Sequence, residues 1–79
     1  MKLKLLAFGV AKDILGKKSQ EFDFEGLTVS DFRKTILALY PDLATIKSFA
    51  IAVNLVYAPD ETQLTANDEV AIIPPVSGG

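Results

Sequence analysis

The chain has 79 residues, 49% of them hydrophobic, with a formal charge of −2, no cysteine and no histidine. That length suits one small domain with a single core and leaves no room for a second. The missing residue types exclude disulfides, thiolate nucleophiles, thiolate or imidazole metal ligation and the commonest general base. Eight Lys and Arg against ten Asp and Glu, with no basic block, lack the electrostatic footprint of a nucleic-acid binder. No metal site and no nucleic-acid partner are expected.

The opening "MKLKLLAFGVA" sets two lysines ahead of an apolar run, as a secretory leader does. Its apolar region would be only about seven residues, the low end for such leaders, and removing it would delete the best first strand. Lys2 and Lys4 alternate with Leu3 and Leu5 before Leu6, Ala7 and Phe8 become wholly apolar, which predicts a strand passing from exposure into burial and ending at Gly9. In "VAKDILGKK", Val10, Ile14 and Leu15 share one side opposite Lys12 and Asp13, predicting a short helix that closes at Gly16. No window supplies the roughly 20 apolar residues of a membrane-spanning helix. A cytoplasmic chain with no membrane partner is expected.

In "SQEFDFEG", Gln20, Phe22 and Phe24 alternate with Glu21, Asp23 and Glu25, predicting a second strand hairpinned to the first, with its aromatic side inward. "TVSDFRKTILALYP" carries the clearest helix. Thr28 caps it, Asp31 completes a shortened capping box, and Val29, Phe32, Ile36, Leu39 and Tyr40 recur at threes and fours. Pro41 ends it, because the residue before a proline is pushed out of helical dihedrals.

"FAIAVN", with Ile51 and Val53 at alternate positions, predicts a third strand, and "LVYA" a fourth after a turn at Asn54. "PDETQLTANDE" reads as loop with a turn at Asn67 and Asp68. "EVAIIP" predicts the last strand, whose unbroken apolar run Val70 to Ile73 calls for cover on both faces or a central place. Asp68 and Glu69 resemble an acid–base pair, but adjacent strand positions face opposite sides and do not converge on one substrate. The element order predicts an α+β domain, one mixed sheet packed on one main helix.

The chain ends "IIPPVSGG". Pro74 and Pro75 restrict φ and offer no N–H donors, which discourages the tail from joining a sheet edge. Gly78 and Gly79 carry no β-carbon to obstruct a close approach. From Pro74 to Gly79 an extended backbone spans roughly 20 Å at about 3.3 Å per residue. The expected division is a domain over residues 1–73 and an extended tail over 74–79.

Three stretches, "LLAFG", "AVN" at Ala52 to Asn54 and "LTANDEVAIIPPVSGG" from Leu64 to Gly79, resemble the ubiquitin-like sulfur carriers of the β-grasp fold, in particular the molybdopterin synthase branch. The resemblance implies that the Gly79 carboxylate, reached through Gly78, is adenylated by an ATP-dependent activating enzyme of the ubiquitin-activating kind and converted to a thiocarboxylate. It implies a heterotetrameric synthase whose large catalytic subunit supplies the catalytic side chains and the pocket for a pterin precursor. The present chain would then be no enzyme alone and would bind no cofactor.

By the same resemblance Phe8 meets the large subunit, its alternative being a core aromatic, Val76 and Ser77 sit in the partner's channel, and Ile73, Pro74 and Pro75 bind the partner beside it. Lys12, close to Phe8, either pairs with an acidic group on a partner or is a solvated surface lysine. The family often has an aromatic residue where this chain has Ile73. The β-grasp fold implies parallel pairing of the first and last strands, which would bring Phe8 near Ile73 and form an apolar patch with Val76. The alternatives are a carrier for thiamin or another pathway, and a ubiquitin-like modifier or binding module.

Overall fold

The computed structural model describes residues 1–46 and 48–75. The elements are β1 (Lys2–Ala7), α1 (Gly9–Leu15), β2 (Ser19–Asp23), α2 (Val29–Leu39), a 3₁₀ helix (Pro41–Thr45), β3 (Ala50–Val53), β4 (Val56–Tyr57) and β5 (Glu69–Ile73). They form a five-stranded sheet in the order β2-β1-β5-β3-β4. β1 and β5 run parallel, and the other pairs are antiparallel. The unbroken apolar run of β5 is thus explained by its central place. β2 pairs antiparallel with β1, and the predicted short helix α1 lies between them and closes at Gly16.

The core lies between one sheet face and α2. Val29, Phe32 and Ile36 of the helix are fully buried with Leu3, Leu5, Phe24, Ile51, Val70 and Ile72. Phe32 meets Phe22 and Phe24 edge to face, with ring centroids 5.6 and 5.8 Å away, an arrangement worth about 0.5–1.5 kcal/mol per pair beyond area burial. Phe24 lies just past the end of β2, yet its N–H donates to the Met1 carbonyl (2.8 Å) and its carbonyl accepts from the Met1 amino group (2.7 Å), so the ladder continues.

The α2 cap forms as the sequence predicts. The Asp31 N–H donates to Thr28 Oγ1 (3.2 Å), and Asp31 Oδ2 accepts from the N–H groups of Leu27 (2.9 Å) and Thr28 (3.2 Å). Those donors, Leu27 first, hold the Asp31 carboxyl below its ordinary value of 3.8, because they stabilise the charged form.

Two positions assigned to the inner helix face differ. Leu39 is exposed, and Tyr40 has left the helix with φ −128° and ψ 78°. Pro41 sits at the first position of the 3₁₀ helix, where its missing N–H is no loss, and the fully buried Leu43 of that helix completes the core in place of Leu39. No helix among the described residues is long and apolar enough to cross a membrane.

Candidate functional site

Both helices contribute to the core on one sheet face, so alternate strand residues point to the other face. Along β1 that face starts charged, with Lys2 and Lys4, and becomes apolar at Leu6. Strand register then lines up a row of Leu6, Ala71, Ala52 and Tyr57 across four strands. The two alanines in the middle provide a floor without bulk. Leu6 and Phe8 make one wall, Leu55 and Tyr57 the other, and Ile73 stands where β5 ends, enclosing a trough of about 210 Å³.

Phe8, at 40% exposed, caps α1 and lies on this outer face rather than in the core. Its N–H donates to the Ile72 carbonyl (3.3 Å), which carries the parallel ladder one step past β1. Gly9 follows with φ +54° and turns the chain into α1. A β-carbon on Gly9 would lie 3.2 Å from Cγ of Pro74, so bare backbone makes the seat for the first residue after β5.

The β4 wall rests on a two-residue turn. Asn54 and Leu55 have φ values of +52° and +72°, the positive angles that tight hairpin turns favour. Asn adopts this region readily, whereas left-handed backbone costs most L-residues about 1–2 kcal/mol. The Asn54 side chain fastens the turn to the start of β5: Nδ2 donates to Asp68 Oδ1 (3.0 Å), and Oδ1 accepts from the Glu69 N–H (3.0 Å). The Asn54 N–H also donates to the Glu69 carbonyl (2.8 Å). Asp68 Oδ2 accepts from the Thr65 N–H (2.8 Å), and this bond, followed by the Asn54 amide, holds the Asp68 carboxyl below its ordinary value of 3.8.

Two wider clefts exist. One lies beside Lys2, Lys4, Gln20 and Glu21, the other beside Asp23, Glu25, Asp31 and Lys34 at the start of α2. Both are open and carry mixed charges, and the residues described contain no cluster able to hold a metal. Apart from the Tyr57 hydroxyl, the lining of the trough is apolar. It can bind apolar surface.

Of the residues singled out from the sequence, Phe8 and Ile73 meet in the trough. Pro74 is half-buried beside Gly9 and Pro75 is exposed. Lys12 is exposed on α1 and does not line the trough. Val76, Ser77, Gly78 and Gly79 lie outside the described residues. Leu6, Ala52, Leu55, Tyr57 and Ala71 line the trough and were not anticipated. The signal available was that both alternating sets turn apolar at the ends of the two strands, over Leu6 to Phe8 and Val70 to Ile73, which requires something to cover the second face.

A mixed sheet of this order, helices on one face and a proline-led segment leaving the central strand, defines a ubiquitin-like β-grasp domain. The chain belongs to the ThiS family, whose profile matches residues 5–79. It is 42% identical over 81 residues, 98% of this chain and 96% of the relative, to a molybdopterin synthase sulfur carrier subunit from Caenorhabditis elegans. Among solved structures it resembles the small archaeal modifier protein 1 of Methanosarcina acetivorans, with TM-score 0.81 and 26% identity over 99% of this chain and 96% of that one. It also shares the fold of a chain in the complex of subunits 1 and 2 of molybdopterin-converting factor from Helicobacter pylori, with TM-score 0.67, 24% identity and 100% of each chain covered.

Proposed function

We propose that this chain is the sulfur-carrying subunit of a molybdopterin synthase, which delivers sulfur as a thiocarboxylate on Gly79. The observation that carries the proposal is the coincidence of an apolar trough with the exit of a proline-led Gly-Gly tail, in a chain similar over its length to a sulfur carrier subunit. Residues 1–73 act as the docking domain and 74–79 as the delivering arm.

A carboxylate is a poor electrophile, so an ATP-dependent activating enzyme converts the Gly79 carboxylate to an acyl-adenylate with release of pyrophosphate, and a sulfur nucleophile at the sulfide level then displaces AMP to leave the thiocarboxylate. The thiocarboxylate sulfur attacks the pterin precursor inside the large catalytic subunit, which supplies the acid–base groups, and hydrolysis of the resulting acyl–sulfur bond leaves the sulfur on the pterin and regenerates the Gly79 carboxylate. This division of labour fits a chain with no histidine or cysteine. In this reading ATP is consumed by the activating enzyme, this chain has no cofactor of its own, and the reaction is cytoplasmic.

The tail is short. Residues 74–79 span roughly 20 Å when extended, so a protein that takes Gly79 into its pocket must sit against the end of the sheet from which the tail leaves. The trough opens there, with Phe8 and Ile73 on its lining. Pro74 and Pro75 hold the arm away from the sheet, Val76, Ser77 and Gly78 thread the partner's channel, and Lys12 stands outside the apolar contact where a partner's acidic group can reach it.

Intact-mass measurement on protein from a sulfur-competent host tests the proposal. Wild-type chain should show the gain expected when one oxygen is replaced by sulfur. A variant lacking Gly79 should show none while melting at the wild-type temperature. Sulfur loading of the shortened chain would refute the assignment. Recovery of thiazole synthase instead of a large pterin-sulfurating subunit would move the chain to the thiamin route, and covalent ladders on target lysines would make it a modifier.

A further inference from the structure

Leu55 occupies a position that its own fold does not explain. Its φ of +72° is a conformation that glycine enters freely and leucine does not. Two-residue hairpin turns with positive φ at both positions favour glycine second, as in Asn-Gly, and here Asn54 is followed by leucine. The side chain is 87% exposed, more than any other large hydrophobic among the described residues, so it adds almost nothing to the core. Backbone preference and solvation both oppose leucine at this point.

What it does have is a fixed place on the trough. Asn54 is fastened to Asp68 and Glu69 by three hydrogen bonds, so the turn tip is braced against the first residue of β5. Leu55 and Tyr57 make the β4 wall, opposite Leu6 and Phe8 on the β1 side. We infer that Leu55 is a docking anchor, presented by the braced turn to an apolar pocket on the large subunit. This rests on the docking role given to the trough above.

The large subunit is the occupant because of where the tail begins. Ile73 lines the same trough, and residues 74–79 reach only roughly 20 Å beyond it. A protein holding Gly79 in its active site for the sulfur transfer therefore covers the trough and its β4 wall. The strain outlier points in the same direction, since conformations of this kind concentrate where binding sites are held in shape.

The test separates folding from docking. Leu55→Gly, Leu55→Ala, Ile73→Ala and Leu39→Ala are compared with wild type by melting temperature and by calorimetric titration with the large subunit from the same organism. Leu39 is exposed on α2, away from the trough, and its variant should bind as wild type does. Leu55→Gly should melt at or above the wild-type temperature, because glycine relieves the strained backbone, and should bind about tenfold more weakly. Leu55→Ala should also weaken binding without the gain in melting temperature.

Wild-type affinity for Leu55→Gly alongside weakened Ile73→Ala would remove Leu55 as an anchor while leaving the trough as the docking face. A markedly lower melting temperature for Leu55→Gly would show that the leucine serves the fold, and would overturn the inference. Failure of the wild-type chain to bind the large subunit would overturn the docking role and the anchor together.

Discussion

Gly9 and Gly16 form a matched pair for testing whether the seat of Pro74 matters. Both have positive φ, +54° and +83°, so an alanine at either costs about 1–2 kcal/mol in backbone strain. In a domain of this size each kcal/mol lowers the melting temperature by about 4–8 °C. At Gly16, the C-cap of α1, nothing lies within 4 Å of the added β-carbon, and strain is the whole effect. At Gly9 the new carbon lies 3.2 Å from Pro74 Cγ, so the ring must yield by a few tenths of an ångström. Pro74 begins the arm proposed above to deliver sulfur. A misplacement of ~1 Å can cost about a hundredfold in rate, and the smaller shift here should slow sulfur loading about three- to tenfold by the same reasoning. Calorimetry should find comparable melting temperatures for Gly9→Ala and Gly16→Ala, both below wild type. Time-resolved intact mass with the activating enzyme, well below both transitions, should find slow loading for Gly9→Ala alone. Equal loading by the two variants would show that the seat does not direct the arm, and equal slowing would trace the loss to stability.

Arg33 joins α2 to the segment that enters β3: its Nη1 donates to the Phe49 carbonyl (2.9 Å), and its guanidinium carbon stands 4.8 Å from the Phe49 ring centroid. Arg33→Ala should cost about 1–3 kcal/mol in denaturant unfolding, whereas Asp60→Asn, which removes only the mostly exposed ion pair with Arg33 at 3.7 Å, should change stability by less than about 1 kcal/mol; equal losses would refute this ranking. Asp31 and Asp68 are both held below their ordinary value in the folded chain, so the stability they contribute is present above that value and lost as pH falls through the lower folded ones. Melting temperatures between pH 2 and 6 (about the range that spans ordinary carboxylate titration) should therefore fall on acidification, and Asp31→Asn should make that fall shallower. An unchanged acid limb in Asp31→Asn would contradict the capping role of the carboxylate.

The elements whose cause is local were legible in the sequence. The cap at Thr28 and Asp31, the stop at Pro41 and the alternation in β1 and β2 each depend on neighbours a few residues away, and each reappears in the structure. Leu39 went astray because helical spacing names a face but cannot say how far the core extends, and the core here ends on Leu43 of the next turn. The chemistry proposed for the terminal Gly-Gly rests on covalent structure and on the absence of β-carbons, so it is argued from the sequence alone. The trough was not. Its floor is a pair of alanines, residues that carry little pattern of their own, and its lining comes from segments as distant as Leu6 and Ile73. Only strand register brings Leu6, Ala71, Ala52 and Tyr57 into one row, and only the turn dihedrals make Leu55 an exception. Register and turn geometry arise from long-range pairing and are invisible to any window along the chain, so tertiary structure decided the surface, while the sequence by itself determined the proline-led Gly-Gly ending.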